Sequence, residues 1–212
     1  MMAARIDKAV ETCLSLFAGW PRRYNYWNGS TWLTDRAVVA REEAVEMVKR
    51  RLPIGIYKCF KDGESDCAYR DVVVFELDVA GCENMQCVVE RARPTVGELL
   101  VYLSSYPRVV WYNGHKSIYV AIPIEAVDAR YPIQREWVVL AKDLGLDVTQ
   151  LVSTSAFRLP CVPHQKTGRL GVFLDDDLKP LKEPPAVARR ANPFSFVTPG
   201  CARPAPRRKQ SQ

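Results

Sequence analysis

The chain lacks any apolar run approaching the length of a membrane span, which excludes a spanning helix. It opens without an apolar signal core. Residues 1–17 instead carry Arg5, Asp7, Lys8 and Glu11 in a pattern that predicts an amphipathic helix, so a cytosolic location is expected. No internal repeat is present, which argues against a stacked-repeat architecture. A paired disulfide framework is also missing. The seven cysteines are odd in number and scattered, and in a cytosolic setting they read as mostly reduced thiols. Cys82 and Cys87 have four residues between them and no second clear pair, which leaves zinc as the lesser reading. Asn28-Gly-Ser30 matches a glycosylation acceptor, but without a secretory route it reads better as a turn.

What is present is an ordinary globular composition. The 212 residues are 48% hydrophobic and 25% charged, enough for a sizeable core in one domain. The net charge of +6 hints at a polyanionic partner. Much of the excess lies near the end, where Arg189, Arg190, Arg203, Arg207, Arg208 and Lys209 occur among prolines. The expected organisation is therefore one domain over residues 1–180, followed by a basic, flexible Pro- and Arg-rich tail over 181–212.

Asn28-Gly29 between residues 24–27 and 31–33 predicts a β-hairpin. Thr34 or Asp35 is placed to cap a helix over 41–49. Residues 54–60 read as a strand, 61–69 as a polar connection, and Pro94 as the opening of a helix through Leu103. Strands follow at 109–112 and 117–122, then a helix at 136–144, a turn-rich segment at 158–168 and a last strand at 170–174. Hairpins mixed with helical crossovers indicate an α/β (α+β) protein with mixed sheets flanked by helices.

The most informative stretch is Asp71-Val-Val-Val-Phe-Glu-Leu-Asp78. Its β-branched and aromatic run reads as a buried strand, and strand alternation puts Glu76 and Asp78 on one face. Two adjacent carboxylates repel each other unless a cation sits between them, and hard divalent ions favour such oxygen clusters. The competing reading is a strand that surfaces and ends in solvated acids.

Three further features accompany it. The turn Asn113-Gly-His-Lys-Ser117 allows close backbone approach and offers Lys116 as a cation, or it is an ordinary hairpin. Asp147, just beyond a helix, is either a third metal carboxylate or an N-cap. Arg158-Leu-Pro-Cys-Val-Pro-His-Gln-Lys166-Thr-Gly168 crowds two cations and an imidazole onto a proline-stiffened loop, a set that suits a triphosphate. In Trp20-Pro-Arg-Arg-Tyr-Asn-Tyr-Trp27 aromatic and basic residues alternate, which suggests either packing of a terminal hairpin or a stacking surface for a single strand.

Taken in order, these elements resemble the small catalytic subunit of archaeal and eukaryotic DNA primase and its wider primase-polymerase superfamily, over residues 53–174. Leu52-Pro-Ile-Gly-Ile-Tyr57 is similar to the family's strand ending in His-x-Tyr, and Val74-Phe-Glu-Leu-Asp78 to its acidic Asp-x-Asp motif. Asn113-Gly-His-Lys-Ser-Ile-Tyr119 is similar to Ser-Gly-x-Arg-Gly-x-His. Arg158-Leu-Pro with His164-Gln-Lys-Thr-Gly168 is similar to Arg-x-Pro-x-Ser-x-His-x-Lys-Thr-Gly.

The resemblance implies template-directed primer synthesis or extension on single-stranded DNA from nucleoside triphosphates. Two magnesium or manganese ions would be held by Glu76, Asp78 and Asp147. Asn113, Lys116, Tyr119, Arg158, His164 and Lys166 would line the nucleotide site, and a primase large subunit would be the partner. Four departures stand out: Glu76 replaces Asp, Lys116 replaces Arg, Tyr119 stands at the motif's His, and only Cys82 and Cys87 remain where the family carries a zinc knuckle. The last two motivate a second reading, a catalytically degenerate accessory subunit that binds nucleic acid or a primase partner. A repair or end-joining polymerase of the same superfamily is a third.

Overall fold

Val72 and Val74 face one apolar core, while Val73 and Phe75 face another. Their strand, β5 (Ser65–Asp78), is therefore covered on both sides, which is why its sequence is a continuous apolar run and not an alternation. The structure, a computed structural model, describes residues 2–199 except 64 and 188.

β5 is the second strand of a five-stranded sheet in the order β4-β5-β7-β6-β9, with β4 at Cys59–Asp62, β6 at Val109–Tyr112, β7 at Ser117–Asp128 and β9 at Val172–Leu174. A four-stranded sheet runs β2-β1-β3-β8, with β1 at Arg22–Trp27, β2 at Trp32–Val39, β3 at Ile54–Tyr57 and β8 at Ala156–Arg158. Every strand pair in both sheets is antiparallel.

Helix α3 (Met85–Tyr102) covers one face of the larger sheet through Val88, Ala92, Val96 and Leu99. On the other face, α1 (Met2–Ser15) and α2 (Arg41–Lys49) share a core with Val72, Val74, Trp111 and Tyr119, into which Ile54, Ile56 and Phe157 of the smaller sheet also pack. The mixed α+β class with two sheets flanked by helices is as expected. Among the described residues no helix is long and apolar enough to cross a membrane.

Several boundaries differ from expectation. The segment 54–60 is two strands in two sheets, parted at Lys58. Residues 61–69 form most of a hairpin, because β4 pairs back onto the start of β5. Thr34 lies inside β2, so α2 begins later; the Ala40 amide donates to Glu43 Oε2 (3.0 Å) at its start. Helix α3 starts well before Pro94, at Asn84, whose side chain accepts from the Cys87 amide (3.0 Å).

The stretch expected to leave the body at 181 stays on it as far as it is described. The Glu125 amide donates to the Ala191 carbonyl (3.0 Å), and Phe196 and Val197 are fully buried. Arg203, Arg207, Arg208 and Lys209 lie outside the described residues.

The structure joins Cys13 to Cys161, Cys59 to Cys67 and Cys82 to Cys87, where reduced thiols were expected. The second joins β4 to β5, and the first joins α1 to the 158–168 loop. Cys82 and Cys87 occupy each other, which leaves no free thiol pair there for zinc.

One buried ion pair ties the middle of β5 to the start of β1 and the loop before it. Asp71 accepts from Arg22 and from the amides of Ala18 (2.6 Å) and Gly19 (3.0 Å), with both charged side chains fully enclosed.

Candidate functional site

The C-terminal end of β5 meets the start of β7, with Glu76 opposite Tyr119 and Asp78 opposite Ser117. Glu76 and Asp78 share the face of Val72 and Val74 and so emerge at the rim of the core between the two sheets. Asp78 accepts from the Ser117 hydroxyl and from Lys116 Nζ (2.5 Å). Partial burial pushes its carboxyl upward, but these bonds outweigh that and hold it below the ordinary value.

Glu76 is pushed the other way, up to about 7, first by burial and then by the charges of Asp78 and Asp147. The Tyr119 hydroxyl, opposite it in the strand pair, acts against that rise. Burial first, and Glu76 next, raise Tyr119 well above the usual phenol range, so it is a neutral donor. Its ring stacks on Trp111, with centroids 5.2 Å apart and planes 6° apart.

Of its two sequence readings, Asp147 shows the N-cap. Its amide donates to the Glu76 carbonyl (2.9 Å), placing it beside the acidic strand, while its Oδ1 caps α5 (Val148–Val152) by accepting from the Gln150 amide (2.9 Å). Among the described residues no group of three or more His, Cys, Asp or Glu side chains is arranged to hold a metal ion. Glu76 and Asp78 nonetheless have the chemistry of a hard-cation site: two oxygen donors on one face, one of them raised by burial and then by its like-charged neighbours. Asp147 has one carboxylate oxygen beyond the one used in its cap.

The cations gather from two loops. In the β6–β7 turn, Asn113 Oδ1 accepts from the amides of His115 (2.9 Å), Lys116 (3.1 Å) and Ser117 (3.1 Å). Asn113 thus shapes the turn, its side chain being 3% exposed and turned inward. Gly114, at φ 86°, lets this turn touch the 158–168 loop: a Cβ there would lie 2.6 Å from the Arg169 carbonyl. Thr167 Oγ1 donates to the Gly114 carbonyl (2.9 Å) across the same contact.

The contact sets His115 against His164, with ring centroids 4.6 Å apart and planes tilted by 32°. His164 Nδ1 accepts from the Lys166 amide (3.2 Å), which assigns the ring proton of the neutral form to Nε2. Burial, followed by Arg158, His115, Lys166 and Lys116, drives His164 down to about 3. Burial, Lys166, Lys116 and Arg158 also lower His115. Arg158 hydrogen-bonds Gln165 Oε1 (2.5 Å), is itself lowered by burial, and lies close enough to Tyr119, Glu76 and Asp78 to feel them. Burial and the gathered cations together lower both imidazoles, and a bound anion would offset that positive charge.

Of the residues picked from sequence, Glu76, Asp78, Lys116, Tyr119, Arg158 and His164 share one electrostatic neighbourhood, Lys166 borders it through His115 and His164, and Asp147 touches it through Glu76. Two residues were missed. One is His115, whose facing depended on the exact turn geometry. The other is Lys58, a lone cation at the strand break. It is 1% exposed, donates to the Gln150 carbonyl and sits 3.5 Å from Ser153 Oγ. Burial and then Arg70 lower it to about 7, while Asp147 and Glu76 pull it back up.

No protein-family model matches the chain, and no curated protein does. Solved structures match the fold. The AEP domain of the cyanophage S-2L primase-polymerase superposes with a TM-score of 0.55 at 16% identity, over 89% of this chain and 94% of that one. The catalytic domain of primase RepB′, in complex with initiator DNA, superposes with a TM-score of 0.50 at 13% identity, over 86% of this chain and 91% of that one. The chain therefore has the fold of a primase-polymerase catalytic domain.

Proposed function

We propose that the chain is a template-directed nucleotidyltransferase of the primase-polymerase type, making or extending short primers on single-stranded DNA. The observation that carries this reading is the meeting, at one end of the β5–β7 pair, of an acidic cluster and a cationic one on this fold.

Glu76 and Asp78, with the free oxygen of Asp147, would hold divalent magnesium or manganese. When bound, such ions neutralise the transferring phosphoryl group and acidify the attacking 3′-hydroxyl. Lys116, His164, Lys166 and Arg158 receive the triphosphate, and His115 joins them through its contact with His164. Lys116 is paired with Asp78. It exchanges that carboxylate for a phosphate as the nucleotide enters. Tyr119, opposite Glu76 in the β5–β7 pair, would donate to its carboxylate and help to orient it.

DNA is the partner this reading requires, and the RepB′ domain was solved with initiator DNA. The small-subunit assignment rests on the motifs alone, and nothing in the fold or the comparisons supports a large-subunit partner. Two observations favour the degenerate accessory reading instead: Asp147 spends an oxygen on capping α5, and Asp78 is paired with Lys116.

Calorimetric titration with manganese and a nucleoside triphosphate separates the two. A nucleotidyltransferase binds the nucleotide in a metal-dependent way and loses that dependence in Asp78→Asn. Metal-independent binding, or none, would favour the accessory role.

A further inference from the structure

Beside Tyr119 a cleft of about 330 Å³ opens between the two sheets, lined by Asn25, Trp32, Gly55, Gln150 and Arg158 among others. Its size is at the lower end of the range for small-molecule pockets, roughly 300–1,000 Å³. The smaller sheet builds its floor. Asn25 pairs with Gly55, and Gly55 with Arg158, so the three residues form a row across β1, β3 and β8. Opposed residues of antiparallel strands share a face, and this face is the one turned away from Ile56 and Phe157 in the core. Gly55 leaves the middle of the row bare.

Trp32 provides an aromatic wall, with the Arg158 guanidinium 5.6 Å from its ring centroid and Trp27 edge-on at 5.9 Å. Asn25 Oδ1 and Arg158 Nε, an acceptor and a donor, are both buried and have no hydrogen-bond partner among the described residues. Buried polar atoms are rarely left so, and two of opposite kind in one cleft point to a ligand that offers both.

We propose that this cleft is the nucleoside subsite of the nucleotide site: the base of an incoming nucleoside triphosphate stacks on Trp32, and Asn25 accepts a hydrogen bond from a base amino group or a sugar hydroxyl. The inference rests on the nucleotidyltransferase reading and extends it to residues outside every motif noted in the sequence. Continuity supports a nucleoside over a template base. Arg158 forms one wall of the cleft and also belongs to the cationic cluster that faces the triphosphate, so one ligand spans both. Aromatic stacking is tolerant of base identity, so Trp32 provides affinity and Asn25 provides selectivity.

The test is calorimetric titration of the full chain with dATP, ATP and inorganic tripolyphosphate, in manganese and without DNA. In the wild type, dATP is expected to bind about tenfold or more tightly than tripolyphosphate. Trp32→Ala should erase that advantage and leave tripolyphosphate affinity unchanged, which also shows that the variant is folded. Asn25→Ala should weaken ATP and dATP alike if the donor is on the base, and ATP alone if it is the 2′-hydroxyl. An unchanged dATP-to-tripolyphosphate ratio in both variants would overturn the nucleoside subsite while leaving the triphosphate site standing. So would a Trp32→Ala protein that loses affinity for a single-stranded oligonucleotide but not for dATP. Failure of the wild type to bind either phosphate ligand would remove the subsite and the nucleotidyltransferase reading together.

Discussion

The imidazole of His115 lies against that of His164, and these are the only two histidines in the chain. They come from two loops brought together by Gly114 and Thr167, and they sit among Lys116, Lys166 and Arg158 with Asp78 nearby.

This pairing predicts a proton-linked anion site. Burial and the neighbouring cations hold both rings below the ordinary histidine value in the free protein. A bound polyphosphate offsets those cations and raises both rings, so binding takes up protons and weakens as pH rises. Tripolyphosphate affinity should therefore fall more between pH 6 and pH 8 in the wild type than in His115→Gln. Equal slopes would mean that His115 is not coupled to the anion.

Glu76 gives a stability prediction of definite sign. Its folded value is raised to about 7 from an unfolded value near 4.5. The folded protein therefore binds the extra proton between those values, and the stabilisation is lost as pH rises through 7. In metal-free protein, Glu76→Gln should melt higher than wild type at pH 8, on the order of 5 °C, with the gap closing near pH 4.5. A gap that does not depend on pH would contradict the buried, charge-crowded setting of this carboxyl.

Lys58 supports the site from behind. Its ammonium holds the Gln150 carbonyl of α5, the helix that Asp147 caps. Lys58→Met keeps the bulk but frees α5 and removes a counter-charge from Glu76 and Asp147. Turnover should fall about ten- to a hundredfold with nucleotide KM nearly unchanged, since the triphosphate contacts lie elsewhere. A rise in KM without loss of kcat would place Lys58 in the binding site.

The enclosed pair of Arg22 and Asp71 pins the middle of β5 to the start of β1. Removing one partner strands the other charge, so Asp71→Asn should cost about 3–5 kcal/mol in urea unfolding. A loss under 1 kcal/mol would show that the amides of Ala18 and Gly19 alone hold this junction.

The acidic strand was legible because its two signals are local: a β-branched run and alternation that puts Glu76 and Asp78 together. The Asn28-Gly29 hairpin and the cation loop were legible for the same reason, each being set by its own turn chemistry. What escaped was long-range. The run 54–60 is uniformly strand-like, and only the pairing of β3 with β1 and of β4 with β5 shows that it divides at Lys58. Asn25 joins Arg158 through Gly55, which no sequence spacing announces. At Pro94, the local preference of proline for a helix start was outweighed by the Asn84 cap and by the apolar face that Val88, Val89 and Ala92 present to the core.

The most direct measurement is incorporation of labelled nucleotide on a single-stranded DNA template with manganese or magnesium, primed and unprimed, comparing wild type with Asp78→Asn. Metal-dependent product from the wild type alone is the predicted result, with the unprimed lane reporting whether synthesis can start without a primer. Product from both proteins, or from neither while both are folded, would contradict a catalytic centre at the end of β5.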